Sequence, residues 1–569
     1  MASPIYIWFC SEVFFWRSLA SICWSVLCLP SITIIFLLLS NISFIHPFDW
    51  LYGSLMSLFS LQVWFSLSIC GACLVMVTWF SLPHFSVIPE VENSQLAFAF
   101  GLFRWSRLPL MIVCILGGTV SSWSLSKLCG EQFHSLSLLD ETDTYSRVVL
   151  NEHHLFLVLS GIGTGLAYFI SFFRQRKHYL AFPHVQKYKM AQIRGEISSL
   201  VVSCSWQTLN MLEYFYGLYF LFGSLPKNWI ESSFEMSENL TEIPINSVRG
   251  MLNFTLFWQT FLCVICLTFA WTLASSIVRV FHTDPMVFPV VSELDYYKDK
   301  TLSEALACNY CPLLQHLALL DLYTLARFCH ERRLQLLSLS QPGGHPRTWA
   351  ATSGQALVVI RELCEKLAAE NWSIMSKVSM SAYLKSEGVP SRASSNGHNV
   401  FYRGKEMQSS DQSLSSQNEP EQQNKALSLM KALPFFAQIL TESPEYNSRV
   451  LFSSCQPQIW AMEGLSEIAA KAYIEDKYGV VQTILPTIIG VLLDFHEVLE
   501  KHLKLTASVA RKANGSVENP PDLLLKQKLF SSTKSSIYRI VNTYRDHLSD
   551  LRLNMDHAKK LHSFTDYLV

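Results

Sequence analysis

Hydrophobic positions follow two different patterns in the two halves of the chain. Up to residue 281 they form long apolar stretches, whereas after residue 302 they recur every three or four positions. A helix needs about 20 mainly apolar residues to cross a hydrocarbon core about 30 Å thick. Recurrence every three or four positions is typical of an amphipathic helix. The pattern therefore predicts an all-α protein with a membrane part and a water-exposed part.

Six stretches are long and apolar enough to cross a membrane. They are residues 19–40, 58–80, 108–126, 153–173, 199–223 and 252–281. We therefore predict a six-span transmembrane domain in residues 1–281. Because six is even, both termini are expected on the same side of the membrane.

The second half is predicted to be an α-helical domain in two parts. Residues 282–384 form a first helical region and residues 425–569 a C-terminal helical domain. Residues 385–424 are rich in Ser, Gln, Asn and Gly. Such a composition buries too little apolar surface to offset chain entropy, so we predict a disordered linker there. Helical patterns cover residues 312–338, 349–370, 425–440, 459–473, 479–505 and 523–566.

Charge is distributed as unevenly as hydrophobicity. Residues 1–281 carry 14 Lys/Arg and 15 Asp/Glu, which leaves 60 of the 89 charged residues for the other half. Basic residues in short loops stay on the cytosolic side of a membrane. The loop after the fourth span is the most basic, so both termini are predicted to be cytosolic and this loop to lie against anionic headgroups. Its basic residues are Arg174, Arg176, Lys177, Lys187, Lys189 and Arg194.

The same topology predicts a modification. Asn239-Leu240-Thr241 is an acceptor sequence for N-glycosylation and falls in a loop assigned to the lumen. Asn239 is therefore a candidate glycosylation site.

Composition and motifs exclude several functions. The chain has a net charge of -1 and lacks the concentration of basic residues that is typical of a nucleic-acid-binding protein. The motifs HExxH, GxSxG and GxxxxGK[ST] are absent, so neither an enzyme nor a bound cofactor is predicted. Cys308 and Cys311 with His316 lack the second ligand pair of a zinc site, and no metal is expected.

Polar residues within the spans leave two interpretations open. Gln207, Asn210 and Glu213 fall near one stripe of the fifth span. They could form a proton or substrate site, or a patch of hydrogen bonds between helices, which is the favoured interpretation. In the fourth span, Gly161 and Gly165 match the spacing of a packing face of small residues, as do Gly117 and Ser121 in the third.

Several unusual strings carry a family resemblance. They are residues 337–346 (LSLSQPGGHP) followed by Trp349, 459–465 (IWAMEGL) and 475–486 (EDKYGVVQTILP), with shorter matches at 151–156, 182–183, 225–230 and 287–290. These strings closely resemble the vertebrate transmembrane nucleoporins of the nuclear-division-cycle (Ndc) family.

The resemblance implies a multi-pass protein of the nuclear envelope that anchors the nuclear pore complex and supports its assembly. The implied partners are other nucleoporins: the WD-repeat protein aladin, a membrane-associated inner-ring nucleoporin and pore membrane proteins. The linker is shorter than that of longer relatives and contains no Phe-Gly dipeptide, which favours a scaffold role. The alternative function is an endoplasmic-reticulum transporter or channel with a helical regulatory tail, in which Glu213 lines the path.

Partner docking is expected on the helical half. The candidate docking residues are Gln341, Pro342, Gly343, Gly344, His345, Pro346, Trp349 and Trp460. The turn from Gln341 to Pro346 would set the angle between two helices, or be an ordinary loop. Trp349 and Trp460 would be interface anchors or, the favoured interpretation, core residues of amphipathic helices.

Overall fold

The computed structural model describes residues 3–42, 46–92, 94–140, 147–183, 186–234, 245–291, 300–339, 345–386, 446–512 and 521–565. These residues are almost entirely helical. The chain divides into two compact units. The first contains Met1–Pro89 and Gly101–Asp321, and the second contains Glu90–Phe100 and Leu322–Val569.

The helices are numbered in chain order. Up to residue 282 they are α1 Pro4–Trp8, α2 Phe15–Ser40, α3 Pro47–Ser57, α4 Leu61–Ser81, α5 Gln95–Leu102, α6 Leu108–Ser126, α7 Glu152–Arg174, α8 Lys189–Phe222, α9 Ser224–Phe234, α10 Val248–Met251 and α11 Phe254–His282. A π-helical segment, Phe9–Phe14, joins α1 to α2, and short 3₁₀ turns cover Leu82–His84 and Glu131–Phe133.

The remaining helices follow the last apolar stretch. They are α12 Leu302–Ala307, α13 Pro312–Phe328, α14 His330–Leu336, α15 Arg347–Ser386, α16 Tyr446–Ser453, α17 Gln456–Glu475, α18 Leu485–Lys512, α19 Pro521–Thr543 and α20 Met555–Thr565, with a 3₁₀ segment at Arg545–Asp550.

Each predicted span coincides with a long helix. The agreement is closest for α6, predicted as 108–126 and found as Leu108–Ser126. By length and composition, five helical segments could cross a membrane: Pro4–Ser40, Leu61–His84, Leu108–Ser126, Glu152–Arg174 and Phe254–His282. The sixth, α8, has 34 residues but is less hydrophobic, because Gln207, Asn210 and Glu213 interrupt its apolar sequence. The described residues therefore form a mainly helical protein with several candidate membrane spans.

A small β-hairpin corrects the all-α prediction. Between α6 and α7, strand β1 (Ser137–Asp140) pairs antiparallel with β2 (Arg147–Leu150), with Ser137 opposite Leu150. The hairpin escaped prediction because each strand has only four residues, too few to establish an alternating pattern.

Glycines bring α6 and α7 into backbone contact. A Cβ atom added at Gly161 would lie 2.5 Å from the carbonyl oxygen of Gly118, and one added at Gly165 would overlap the carbonyl oxygen of Cys114. The predicted packing face of Gly161 and Gly165 is thus confirmed. Its partners on α6 are Cys114, Gly118 and Ser122. Gly117 instead faces Val77 of α4.

The second unit is a layered helical domain with an apolar core. α17 packs against α19, and α15 packs against α18 and α17. The predicted helix 312–338 is broken at Cys329 between α13 and α14. α15 extends to Ser386, so residues 385 and 386 are helical rather than part of the predicted linker. Residues 387–424 of that linker and the predicted helix 425–440 lie outside the described residues.

Candidate membrane anchor and docking surface

Polar contacts define one end of the helical bundle. The Arg17 Nη1 atom of α2 donates to the carbonyl oxygens of His282 and Asp284, at 3.2 and 2.8 Å. Arg279 of α11 forms an ion pair of 2.9 Å with Glu196 of α8. This end therefore joins the beginnings of α2 and α8 to the end of α11.

The same end also holds α4, α6 and α7. The guanidinium of Arg107, just before α6, lies 4.3 Å from the ring centre of Phe173 near the end of α7. The backbone N–H of Ser86, after α4, donates to the carbonyl of His178, after α7, at 3.1 Å.

Contacts at the opposite end involve the other termini of these helices. Ser40 at the end of α2 donates to Gln259 near the beginning of α11, at 2.8 Å. The Tyr219 hydroxyl, near the end of α8, donates to Glu152 at the beginning of α7, at 3.2 Å. The six long helices α2, α4, α6, α7, α8 and α11 therefore alternate in direction in chain order. The short helices α9 and α10 lie between α8 and α11.

The residues before α2 and after α11 meet at the first end. The Ser3 hydroxyl oxygen lies 3.9 Å from the Cys308 sulfur, and the Lys300 ammonium lies 5.0 Å from the ring centre of Trp8. The chain therefore returns after α11 to the end at which α2 begins.

The predicted basic loop is divided between surface and interior. Arg174, Lys187 and Arg194 are exposed, and Arg176 is half-buried in a left-handed backbone conformation with φ of 52°. Lys189 instead forms an ion pair of 3.0 Å with Asp284.

Lys177 points into the bundle. Its ammonium donates to the side-chain oxygens of Thr272, Gln207 and Ser171 at 3.1, 3.2 and 3.4 Å, and lies 5.5 Å from the ring centre of Tyr168. One lysine from the basic loop thus links α7, α8 and α11. The sequence predicted that Lys177 would contact lipid headgroups, because its position in a loop does not indicate where its side chain points.

The three polar residues of the α8 stripe lie in different environments. Gln207 is buried and also donates from Nε2 to Ser171, at 3.0 Å, whereas Asn210 and Glu213 are exposed. Glu213 lines an open apolar cavity of 400 Å³ with Tyr216, Phe254 and Phe257 among its neighbours. The contacts of Gln207 are those of the favoured interpretation, hydrogen bonding between helices.

The candidate docking residues have different environments. Trp349 and Trp460 are buried, with 0% and 6% of their surface exposed, as expected of core residues. His345 is exposed, and Pro346 is half-buried just before α15. Gln341, Pro342, Gly343 and Gly344 lie outside the described residues, as does Asn239. His316, considered for a metal site, donates a hydrogen bond from Nδ1 to the Pro312 carbonyl, 2.6 Å away, and stacks on Phe182.

An exposed turn after α17 was missed as a possible docking element. The Asp476 carboxylate accepts from the backbone N–H groups of Tyr478 and Val481, at 3.0 and 2.8 Å. Gly479 has a φ of 67°, a left-handed conformation that favours glycine. These contacts fix a turn in which Tyr478 is 65% exposed. Its only sequence signal was the family string at residues 475–486.

A cavity of 620 Å³ lies beside this turn. Tyr473 and Tyr544 meet edge to face in its wall, with ring centres 5.4 Å apart. The Tyr544 hydroxyl donates to the carbonyl of Ala469 at 3.0 Å, which holds the ring in place. The cavity is lined by Tyr473, Gln482, Thr483, Leu485, Pro486, Tyr544, His547, Leu551 and Arg552. Aromatic and polar groups are thus fixed around an opening at the surface.

Comparison with known proteins accounts for both units. The model of a family described as Nucleoporin protein Ndc1-Nup matches residues 12–562. The chain belongs to the Ndc1-Nup family. Since this match includes the long apolar helices and the helical unit after them, this Ndc1-Nup protein is a structural transmembrane nucleoporin of the nuclear pore rather than an enzyme.

Vertebrate relatives match along nearly the whole Ndc1-Nup chain. Nucleoporin NDC1 of Mus musculus is 28% identical over 652 aligned positions, which cover 97% of this chain and 96% of the relative. Nucleoporin NDC1 of Xenopus laevis is 27% identical, covering 97% and 98%. Nucleoporin ndc-1 of Caenorhabditis elegans is 28% identical over 254 positions, or 44% of this chain. The vertebrate alignments are longer than the 569 residues of this chain, so those relatives contain residues that it lacks.

Proposed function

We propose that this nucleoporin anchors the nuclear pore complex through six membrane spans, with both termini on the cytosolic, pore-facing side. Its helical second unit holds other nucleoporins. The proposed partners are the WD-repeat protein aladin, the membrane-associated inner-ring nucleoporin and pore membrane proteins. The chain also contacts the lipid bilayer.

The path of α8 is the observation that carries the six-span proposal. Glu196 in its first turns pairs with Arg279, and Tyr219 near its end contacts Glu152. α8 therefore extends between the same two bundle ends as its more hydrophobic neighbours α7 and α11. A helix packed in this way crosses the same layer, and its polar residues are tolerated where they bond to neighbouring helices, as Gln207 does.

The distribution of basic residues supports the orientation. Arg17, Arg107, Lys177 and Arg279 all lie at the bundle end where α2 begins, together with the exposed Arg174, Lys187 and Arg194. Retention of basic loops in the cytosol makes this the cytosolic end. The helical unit follows α11 in the chain and would therefore begin on that side.

The turn at Asp476–Val481 is the proposed docking element. Ile474, at the end of α17, and Tyr478, in the turn, are large side chains with 88% and 65% of their surface exposed. Their chain neighbours Tyr473 and Gln482 line the cavity with aromatic walls. Exposed aromatic side chains on a rigid backbone are typical centres of protein interfaces, because little conformational entropy is lost on binding. We therefore assign docking to this surface rather than to Trp349 and Trp460, whose indoles are buried.

Glycosylation and tag accessibility test the topology. We expect a glycan on Asn239, so Asn239→Gln should increase gel mobility as deglycosylation does. Asn41→Gln, at an acceptor sequence close to the end of α2, should leave mobility unchanged. A C-terminal tag should be accessible to antibody when only the plasma membrane is permeabilised. A tag accessible only after the nuclear envelope is opened would overturn the orientation.

Copurification tests docking. The double variant Ile474→Ala, Tyr478→Ala of the full chain should lose capture of aladin or the inner-ring nucleoporin, while the chain still reaches the nuclear rim. The matched control is Trp372→Ala, which removes an exposed aromatic side chain elsewhere in the second unit. Equal capture by the double variant and the wild type would exclude the turn as the docking element for these partners.

A further inference from the structure

Helix α3 presents an apolar stripe that no described residue covers. Phe48 is 84% exposed and Phe59, just beyond the helix, is 80% exposed. The exposed apolar positions repeat at helical spacing of three and four: Phe48, Leu51, Tyr52, Leu55, Met56 and Phe59. With 11 residues, α3 is too short to cross a membrane.

The opposite side of α3 is held by the bundle. The Trp50 indole N–H donates to the carbonyl of Leu38 near the end of α2, at 2.9 Å. Ser54 is buried, and Leu58 packs against the apolar core around Val63 and Leu128. The exposed stripe is therefore not the face by which α3 packs onto its own chain.

A third face of α3 is polar and contains Asp49 and Gly53. On a helical wheel these residues lie between the apolar stripe and the packed face. Asp49 is the only acidic or basic residue from Pro47 to Ser60. The helix therefore has three distinct faces: an exposed apolar face, a polar face and a face packed against the bundle.

The orientation of the stripe is fixed by the connection to α4. Three residues link the helices, and the backbone N–H groups of Leu58, Phe59 and Ser60 donate to the carbonyls of Leu55, Met56 and Ser57. The Ser60 hydroxyl then caps α4 by accepting from the N–H of Val63 at 3.3 Å. No flexible loop separates α3 from the helix that follows.

The stripe continues in sequence into the lipid-facing surface of α4. Leu61, Trp64 and Phe65 are all exposed on α4, which is one of the helices long and apolar enough to cross a membrane. Exposed apolar side chains on such a helix face acyl chains. This continuity identifies lipid as the occupant of the α3 stripe.

We infer that α3 lies in the interfacial layer of the lumenal leaflet, with its apolar stripe toward the acyl chains. Interfacial helices bury their apolar faces about 5–10 Å into the boundary between headgroups and acyl chains. Because α3 has no lysine or arginine, apolar burial rather than attraction to anionic lipid holds it there. The assignment to the lumenal leaflet rests on the proposed topology, whereas the insertion itself does not.

A second short helix at the same bundle end also exposes large apolar side chains. α9 follows directly after α8 and exposes Leu225, Trp229 and Phe234. The end of α8 is tied to the beginning of α7 by Tyr219 and Glu152, at the end opposite Arg17. Two of the three predicted lumenal loops thus contain a short helix that exposes large apolar side chains.

Depth-dependent quenching tests the inference on the full chain in proteoliposomes. A fluorescent amino acid is introduced by amber suppression at position 55 or position 53, and lipids brominated along the acyl chain serve as quenchers. Gly53 is the matched control, because it lies two residues away on the polar face and a side chain there meets no atom within 4 Å. Position 65 of α4 is the lipid-facing reference.

We expect severalfold stronger quenching at position 55 than at position 53, unchanged in high salt, with the strongest quenching at position 65. Weak and equal quenching at positions 55 and 53, with strong quenching at 65, would overturn the inference. Crosslinking of position 55 to a second copy or another protein without quenching would also overturn it. The C-terminal tag read in selectively permeabilised cells tests the topology separately, so failure of the topology and failure of insertion give different results.

Discussion

The guanidinium of Arg333 binds the carboxylate of Glu475 at two points, with Nε 3.0 Å from Oε2 and Nη2 2.8 Å from Oε1. Arg333 Nη1 also donates to the carbonyls of Leu325 and Ala326, at 3.3 and 3.2 Å. One side chain on α14 therefore joins the last turn of α13 to the last residue of α17. The hydrogen bonds from Arg333 hold the pKa of Glu475 below its usual range.

Removing Arg333 should destabilise the end of α17 next to the proposed docking turn. Arg333→Leu leaves the mostly buried Glu475 carboxylate without its main partner, so we expect a loss of about 1.5–3 kcal/mol in local stability. Hydrogen exchange of α17 amides in the full chain measures this loss. Lys504→Met removes an exposed pair with Glu500 and should change stability by less than about 0.5 kcal/mol. Equal exchange in the two variants would contradict a structural role for Arg333.

His502 should make the second unit sensitive to acid. Its Nδ1 donates to Asn371 Oδ1 at 2.8 Å, and its Nε2 accepts from the Ser448 hydroxyl at 3.1 Å. The orientation of Asn371 follows from its Nδ2, which donates to the Val498 carbonyl. Burial, with a smaller effect of Lys526, lowers the pKa of His502 to about 4. The folded state therefore favours the neutral ring.

The direction of the pH effect follows from this lowered pKa. The unfolded chain binds a proton at His502 below about pH 6.5, whereas the folded chain does so only near pH 4, so stability falls as the pH decreases between these values. The loss is at most about 1.4 kcal/mol per pH unit. Thermal unfolding of the wild type and His502→Gln should be compared at each pH. The advantage of the wild type should shrink on acidification, and a constant difference would exclude this titration.

The contact between α6 and α7 should not tolerate larger side chains. Gly161→Val places a branched side chain against the Gly118 carbonyl, so the helices must separate. We expect the free energy of unfolding to fall by about 1–3 kcal/mol or more. The full chain should also accumulate less in membranes. Gly217→Val on α8 is the control, because an added Cβ meets no atom within 4 Å. Similar thermal stability of the two purified variants would show that the close approach is dispensable.

Lys177 should stabilise, from within, the bundle end at which α2 begins. Lys177→Met removes three hydrogen bonds to α7, α8 and α11. We expect the free energy of unfolding to fall by about 1–2 kcal/mol. Lys187→Met removes an exposed charge of the same loop and should leave the unfolding temperature of the solubilised chain almost unchanged. If membrane-surface charge were the main role of both lysines, the two variants would behave alike.

Helix positions could be predicted because they depend on local sequence. The apolar run 108–126 alone determines α6, and the amphipathic pattern around Trp460 determines α17. The apolar stretch predicted at 199–223 covers only part of α8, which begins ten residues earlier at Lys189. Lys189 and Glu196 continue it since Asp284 and Arg279 neutralise them.

Contacts between distant residues could not be predicted. Arg333 and Glu475 are separated by 142 positions, and neither lies in a pattern that suggests the other. The sequence favours a core position for Trp349 over an interface position, but only the packing of α15 decides between them. The direction of Lys177 likewise depends on Thr272 and Gln207, which reach it only after three helices assemble.

The glycine contact between α6 and α7 has a consequence for biosynthesis. These helices are consecutive in the chain and joined by the hairpin β1–β2, so both sides of the contact leave the ribosome before α8 and α11 are made. The helix pair can therefore associate during membrane insertion and offer a preformed surface to the later helices. Substitutions at Gly161 or Gly165 would then lower the yield of newly made protein as well as the stability of the folded bundle.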